Sequence, residues 1–227
     1  MTAQDIGMGH SFWRGMRRYD KNELFFDAAI HAIGLAIAMI VGGWMLAYAS
    51  IITAPEYAGA LTVYVVSMIA LLIASLLFNQ WGITPMKRHL ARLDQAAIFI
   101  FIAGTYTPIL VLLGEGIGEW LLPMVWVIAV AGVVLKVLVP GKFGRIAIPL
   151  HLVMGWGGLL VVKEIMTELH PMTIWLLVAG GVSYSIGIIF HLDEKMRFHN
   201  VFWHVAVVIG MTLHLMAIAN CMVLSRM

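Results

Sequence analysis

The chain has little charge and almost no cysteine. Only 11% of its 227 residues are charged, whereas soluble domains usually carry about 25%. Its single cysteine, Cys221, excludes an internal disulfide and any metal site built on paired thiolates. Because the gaps between apolar stretches are also short, no room remains for a separate soluble domain. The composition therefore indicates that the whole chain, and not one anchor, is embedded in a membrane.

Hydrophobic residues make up 62% of the sequence and fall into seven stretches of spanning length. A helix needs about 20 mostly apolar residues to cross the hydrocarbon core. Backbone groups inside lipid must be satisfied within the segment, so each stretch is expected to be helical. The sequence thus predicts an all-α polytopic membrane protein with seven transmembrane helices. The stretches cover approximately 28–52, 60–79, 95–113, 120–139, 146–165, 173–190 and 201–224.

The lysines and arginines are distributed unequally between the two sides of this predicted bundle. Twelve lie in the N-terminal arm and in alternate gaps, whereas only Lys163 and Arg226 fall on the other side. By the positive-inside rule, the N-terminus is predicted to be cytoplasmic and the protein to lie in the cell (inner or plasma) membrane. Residues 1–22 are interpreted as a basic interfacial arm and 23–227 as the transmembrane domain. This charge suits anionic lipid and gives no indication of nucleic-acid binding.

Polar residues gather near one end of the predicted helices. Glu23, Asp27 and His31 are four residues apart and therefore share one face of the first helix. Ionisable residues within membrane helices are costly and mark candidate functional sites. Four helices carry such groups at similar depth, which predicts one polar pocket open to the cytoplasm. Its candidate residues are Glu23, Asp27, His31, Ser75, Asn79, Asp94, Asn200 and His204.

Structural roles compete with functional ones at several of these positions. Asp94 and Asn200 are both good helix N-caps, and either could simply start its helix. Ser75 could be a packing residue between helices. Asp27 is harder to explain in this way, because a carboxylate one turn inside a helix needs a partner, for which His31 or His204 is the obvious candidate. The deeper histidines, His151 and His214, are expected to be hydrogen-bonded core residues. The histidines in gaps or at helix ends are expected to face water; these are His10, His89, His170, His191 and His199.

Two sequence runs are the most specific motifs of the chain: Gly-Thr-Tyr-Thr-Pro at 104–108 and Gly-Gly-X-X-Tyr-X-X-Gly at 180–187. They occur with Glu23, Asp27, His31, Gly34, Ser75, Asp94, Met154-Gly155-Trp156, Trp203-His204 and His214. In these residues the chain resembles the hemolysin III family, which belongs with the adiponectin and progestin receptors and, more remotely, the alkaline ceramidases. The resemblance covers about residues 20–220.

This resemblance implies a zinc ion near the cytoplasmic face. In the family the ligands are a histidine four residues after the serine of the second helix and two histidines four apart in the seventh, with an aspartate near the bound water. Here Asp94 and His204 match, but Asn79 and Asn200 stand at the other two ligand positions. Because a neutral amide is a poor zinc ligand, a hydrogen-bonded polar cluster is the preferred interpretation, and zinc held by His204 the alternative.

Several functions are compatible with the sequence. The preferred hypothesis is a protein of membrane-lipid sensing or homeostasis, whose bundle holds a membrane lipid; the 16 methionines suit an adaptable interior. The resemblance also implies a zinc-dependent lipid amide or ester hydrolase, with Asp94 orienting the water and Ser75 steadying the reacting group. The family name suggests pore formation or cytolysis. A b-type haem protein is the last alternative, with ligands drawn from His31, His151, His204 and His214.

Overall fold

The computed structural model describes residues 19–138 and 140–223, and for 140–145 it describes only the backbone. Most of the predicted basic arm, residues 1–18, therefore lies outside the described residues. All regular structure in the described part is helical, and it includes a short 3₁₀ segment, Gly157–Val161. The α-helices are α1 (Lys21–Ile52), α2 (Pro55–Gln80), α3 (Pro85–Leu113), α4 (Ile117–Leu138), α5 (Pro140–Gly155), α6 (Val162–Glu168), α7 (Pro171–Leu192) and α8 (His199–Met222).

Seven spans within the described residues are long and apolar enough to cross a membrane. Six are single helices, and the fifth runs through α5, the 3₁₀ segment and α6. Neighbouring helices in the chain pack side by side from α1 to α5, α7 packs along α8, and α8 returns to α1 and closes the bundle. The predicted all-α, seven-helix membrane fold is confirmed.

The first helix shows how the bundle separates its interior from lipid. Its buried residues recur every three or four positions and form one stripe, from Glu23 to Ala49. Large apolar side chains on the opposite face point outward, including Ile40 at 72% exposure and Ile51 at 82%. Such outward-facing apolar surface is unfavourable in water and favourable in lipid. Small residues in the stripe allow close packing: a Cβ on Gly42 would lie 2.8 Å from a methyl group of Val65.

The start of α1 is fixed by a capping box. The Asp20 carboxylate accepts from the backbone N–H groups of Asn22 and Glu23, and the Glu23 carboxylate accepts from the backbone N–H of Asp20. The Glu23 N–H bond and the Arg197 guanidinium lower the pKa of Asp20. Glu23 also accepts from the N–H of Phe198, which has a positive φ of 61° just before α8. The cap therefore joins the first helix to the last and supports a strained residue.

The third span begins about ten residues earlier than the apolar stretch predicted. The basic segment that was interpreted as a gap forms the first turns of α3, with Pro85 at the start. Proline suits the first helical turn, and Met, Lys, Arg, Leu and Ala are good helix formers. Lys87 donates to the carbonyl of Trp81, which ties this extension to the end of α2. Asp94 consequently lies well inside α3, and the alternative that it caps this helix is wrong.

The fifth span is not the single helix that was expected. It breaks at Gly155, where the backbone passes through the 3₁₀ segment before α6. A break in lipid frees backbone groups that need new partners. The Tyr106 hydroxyl supplies them: it donates to the Met154 carbonyl at 2.8 Å and accepts from the Gly158 N–H at 2.7 Å. The tyrosine of the Gly-Thr-Tyr-Thr-Pro run therefore stabilises the glycine-rich break opposite it.

We expect Tyr106→Phe to lower the free energy of unfolding by about 1–3 kcal/mol, because the Gly158 N–H and the Met154 carbonyl lose their partner. Thermal unfolding of purified protein in detergent measures the loss. The matched control is Tyr48→Phe, since Tyr48 is half-buried on α1 and stacks on Trp44 through its ring. Equal melting temperatures for the two variants would contradict the role assigned to Tyr106.

Candidate functional site

Three helices bring polar side chains together at the bundle end that contains the start of α1. Asp27 and His31 come from α1, Ser75 and Asn79 from α2, and Asn200 and His204 from α8. Each pair is four residues apart, so each presents both members on one helical face. Asp27, His31 and His204 are at most 6% exposed, and Ser75 and Asn79 at most 7%. These residues are hereafter called the polar cluster.

Asp27 is the centre of the polar cluster. One carboxylate oxygen lies 2.5 Å from His204 Nδ1 and accepts from the Asn200 amide at 3.1 Å. The other accepts from Gln80 Nε2 at 3.3 Å. His31 Nδ1 lies 2.8 Å from the Asp27 carbonyl and 3.5 Å from its carboxylate. This buried carboxylate therefore has the partners that its burial requires.

His204 connects Asp27 to Ser75. With Nδ1 on the carboxylate, its Nε2 lies 3.3 Å from the Ser75 hydroxyl oxygen. The edge of the His31 ring packs against the His204 ring, with centroids 4.4 Å apart. The imidazole is therefore held on both nitrogens and on one side. A histidine whose Nδ1 is held by a carboxylate can accept a proton at Nε2 from the neighbouring hydroxyl.

The two asparagines hold the remaining corner of the polar cluster. Asn200 Nδ2 donates to Asn79 Oδ1 at 3.0 Å, and Asn79 Nδ2 donates to the Ser75 carbonyl at 2.9 Å. Asn200 lies in the first turn of α8, but Phe198 is the N-cap, so the alternative that Asn200 caps this helix is wrong. The amides instead link α2 to α8 and α1.

The side chains at the positions where the resemblance implies zinc ligands do not fit that ion. The amide oxygen of Asn79 is bonded to Asn200, which leaves His204 as the one imidazole there. Asp27, His31 and His204 do offer three donor atoms within 4.8 Å of one another. Those atoms bind one another, however, and an ion would have to displace the bond between Asp27 and His204. A catalytic zinc needs three protein ligands and an open position, which neither arrangement offers without rearrangement.

Asp94 faces the polar cluster from α3. Its carboxyl group is close enough to His204 and Asp27 to interact with them electrostatically. Lys136, on α4, is close enough to Asp94 to interact with it electrostatically and is only 5% exposed. Both side chains line the same cavity as Ser75 and His204.

Glu23 occupies a different position from the rest of the predicted pocket. Its carboxylate lies one turn farther out than Asp27 and is committed to the α1 cap and the Phe198 N–H. Its side chain lies beside Asp27, Asn79 and Asn200 around a narrow crevice at the edge of the polar cluster. The structure therefore gives Glu23 a role in holding the ends of α1 and α8 together.

Several residues at this site were not anticipated. Gln80 and His191 were placed in gaps between helices, and Lys136 was counted with the basic residues of the gaps although it falls within the stretch 120–139. Gln80 binds Asp27, and the other two line the cavity. His199 was expected to face water and is only 4% exposed. His214 matches the expected core histidine, since its Nε2 lies 3.1 Å from the Leu177 carbonyl. The one sequence signal that could have placed Gln80 and His191 in helices is their position, because each directly follows the end of an apolar stretch.

A cavity of about 370 Å³ opens beside the polar cluster. Its polar end contains His31, Ser75, Asn79, Asp94 and His204, together with Lys136 and Asn200. Away from that end, its lining is mainly apolar and aromatic, with Tyr106, Trp156 and Tyr184 among the residues. Trp156 Nε1 donates to Ser185 at 3.1 Å and so connects the fifth span to α7 across this space. This size and mixture of surfaces are typical of small-molecule sites.

Fold and site together define a polytopic membrane protein with seven spans and a polar cluster at one end of an interior cavity. The chain belongs to the family described as haemolysin-III related, whose sequence model matches residues 19–215. It is similar to Hemolysin-3 of Bacillus cereus, with 32% identity over 196 residues, or 86% of this chain and 89% of that protein. It is also 32% identical over 179 residues to a Hemolysin-3 homolog of Bacillus subtilis (strain 168), covering 78% of this chain and 84% of the relative.

Proposed function

We propose that the protein binds a membrane lipid in its interior cavity and acts in membrane-lipid sensing or homeostasis. The observation that supports this is the division of the cavity into a polar end and an apolar, aromatic remainder. An amphiphile matches that division, with its headgroup at the polar cluster and its chain along the aromatic wall. The cavity volume falls within the range of about 300–1,000 Å³ that is usual for ligand pockets.

We propose further that the polar end faces the cytoplasm, in the cell membrane. Twelve of the 14 lysines and arginines lie on the side of the N-terminus, which supports this orientation. A fluorescent-protein fusion to the C-terminus and an alkaline phosphatase fusion at the same place test it. Activity of the phosphatase with loss of fluorescence is expected; the reverse result would invert the topology.

Lipid bound to the purified protein is the direct test of the proposed function. Lipid extracted from protein in mild detergent should contain an enriched species relative to the bulk membrane, as measured by mass spectrometry. An extract with the bulk composition would contradict lipid binding in the cavity.

A variant that fills the cavity should reduce this enrichment. Gly181 lines the cavity, and a Cβ added there would lie 3.3 Å from the Trp156 ring. Gly181→Leu is therefore expected to lower the bound lipid several-fold while the chain still folds. Gly43→Leu is the matched control, because a Cβ on Gly43 meets no atom within 4 Å. Equal lipid content in both variants would place the lipid outside the cavity.

Pore formation receives less support from the site. The hydrogen-bonded polar cluster lies in one half of the bundle. Large apolar side chains fill the hydrophobic core of the bundle, among them Met45, Leu61, Met68 and Leu215. A conducting path needs polar groups through the whole depth. Dye leakage from liposomes that contain the purified protein would favour this second function.

A further inference from the structure

We infer that Ser75, His204 and Asp27 form a metal-independent serine relay that cleaves an acyl ester held in the cavity. This inference rests on the proposed lipid-binding function. The Asp27 carboxylate binds His204 Nδ1, and His204 Nε2 lies 3.3 Å from the Ser75 hydroxyl oxygen. This is the order of groups that activates a serine nucleophile, and such contacts are often loose before substrate binds.

The surrounding contacts hold each member of the relay in place. Asn200 and Gln80 donate to the Asp27 carboxylate, which fixes its orientation toward His204. Asn79 Nδ2 binds the Ser75 carbonyl and lies 3.3 Å from its hydroxyl oxygen. Asn79 and Asn200, which stand where the resemblance implies zinc ligands, therefore support the serine and the carboxylate.

Ser75 is also accessible to an amphiphile. Ser75 and His204 both line the cavity, at its polar end. The ester carbonyl of a lipid lies next to its headgroup, so a headgroup bound at the polar end would bring the carbonyl near these side chains.

The chemistry balances without a cofactor. Ser75 Oγ attacks the ester carbonyl carbon as its proton passes to His204 Nε2, and the carbonyl π-electrons move to the oxygen. When they return, the ester C–O bond breaks, and His204 gives the proton to the leaving alcohol. Water then attacks the acyl-serine carbonyl while His204 takes its proton. Collapse of that intermediate releases the fatty acid and returns the proton to Ser75.

An alkyl fluorophosphonate probe tests the relay on full-length protein in lipid nanodiscs. One adduct on Ser75, located by peptide mass spectrometry, is expected in the wild type, with no change when a chelator is added. Ser75→Ala should abolish labelling, and His204→Gln should slow it by on the order of 100-fold or more. Ser67→Ala is the matched control, because Ser67 is buried on α2 and bonds the Tyr64 carbonyl. Labelling elsewhere, or unchanged labelling in His204→Gln, would overturn the relay.

Asp27 is a positioning residue in this scheme. Asp27→Asn should lower the maximal labelling rate with little change in probe affinity, and Asp27→Glu should restore part of it. Lipid content of the same samples separates the two proposals. Lipid enrichment without any adduct would overturn the relay and leave lipid binding intact, whereas absence of both would remove the proposed function as well.

Discussion

Asp27→Ala is expected to be among the most destabilising single substitutions in the chain. The carboxylate is 2% exposed and accepts bonds from His204, Asn200 and Gln80. Removing it leaves three donors on two other helices without their acceptor. Loss of one partner from a buried ionic cluster costs about 3–5 kcal/mol. Thermal or denaturant unfolding in detergent should therefore show a large loss of stability.

The control for this substitution is Asp193→Ala, since Asp193 is exposed at the end of α7. That variant should unfold within about 0.5 kcal/mol of the wild type, as surface changes usually do. Asp27→Asn should fall between the two, because an amide keeps one acceptor but adds a donor near Asn200. A wild-type midpoint for Asp27→Ala would show that the polar cluster does not hold the helices together.

The fold was predictable because lipid imposes simple constraints on a chain. Seven apolar stretches with short gaps leave few alternatives to seven helices. Helix boundaries were less predictable, since hydropathy marks the part of a helix in lipid and not its full length. The first turns of α3 are basic and helical, so the apolar stretch at 95–113 understates that helix.

The break in the fifth span could not be read from hydropathy, because the apolar residues continue across it. It depends on one long-range contact, in which the Tyr106 hydroxyl reaches the backbone at Met154 and Gly158. The glycines of this segment signal close packing, yet they do not specify which helix supplies the partner. Both halves of that contact were visible as motifs, but their pairing was not.

For the candidate site, depth and four-residue spacing predicted which polar residues meet. The structure brings Asp27, Asn79, Asn200 and His204 into direct contact, as the common depth suggested. The sequence did not reveal that Glu23 belongs to a cap or that Lys136 turns inward. Both depend on tertiary contacts, with the chain before α8 and with the cavity, which local spacing does not encode.

Replacing both asparagines is expected to create a zinc site where the wild type has hydrogen-bonded amides. Asn79→His with Asn200→His would place two imidazoles at positions whose present side chains touch at 3.0 Å, beside His204 Nε2. Three imidazoles with an open fourth position are a known ligand set for catalytic zinc. We expect the double variant to bind about one zinc per chain, measured by elemental analysis after purification without chelator.

Zinc should also stabilise the double variant, because an ion that binds only the folded chain adds about 2.7 kcal/mol at 100 times its dissociation constant. Each single variant, with two imidazoles, should bind far more weakly. Asn22→His is the matched control, since Asn22 lies exposed in the first turn of α1. If the double variant gains no more zinc than Asn22→His, positions 79, 200 and 204 do not converge on one point, and the hydrogen-bonded geometry of the polar cluster is incorrect.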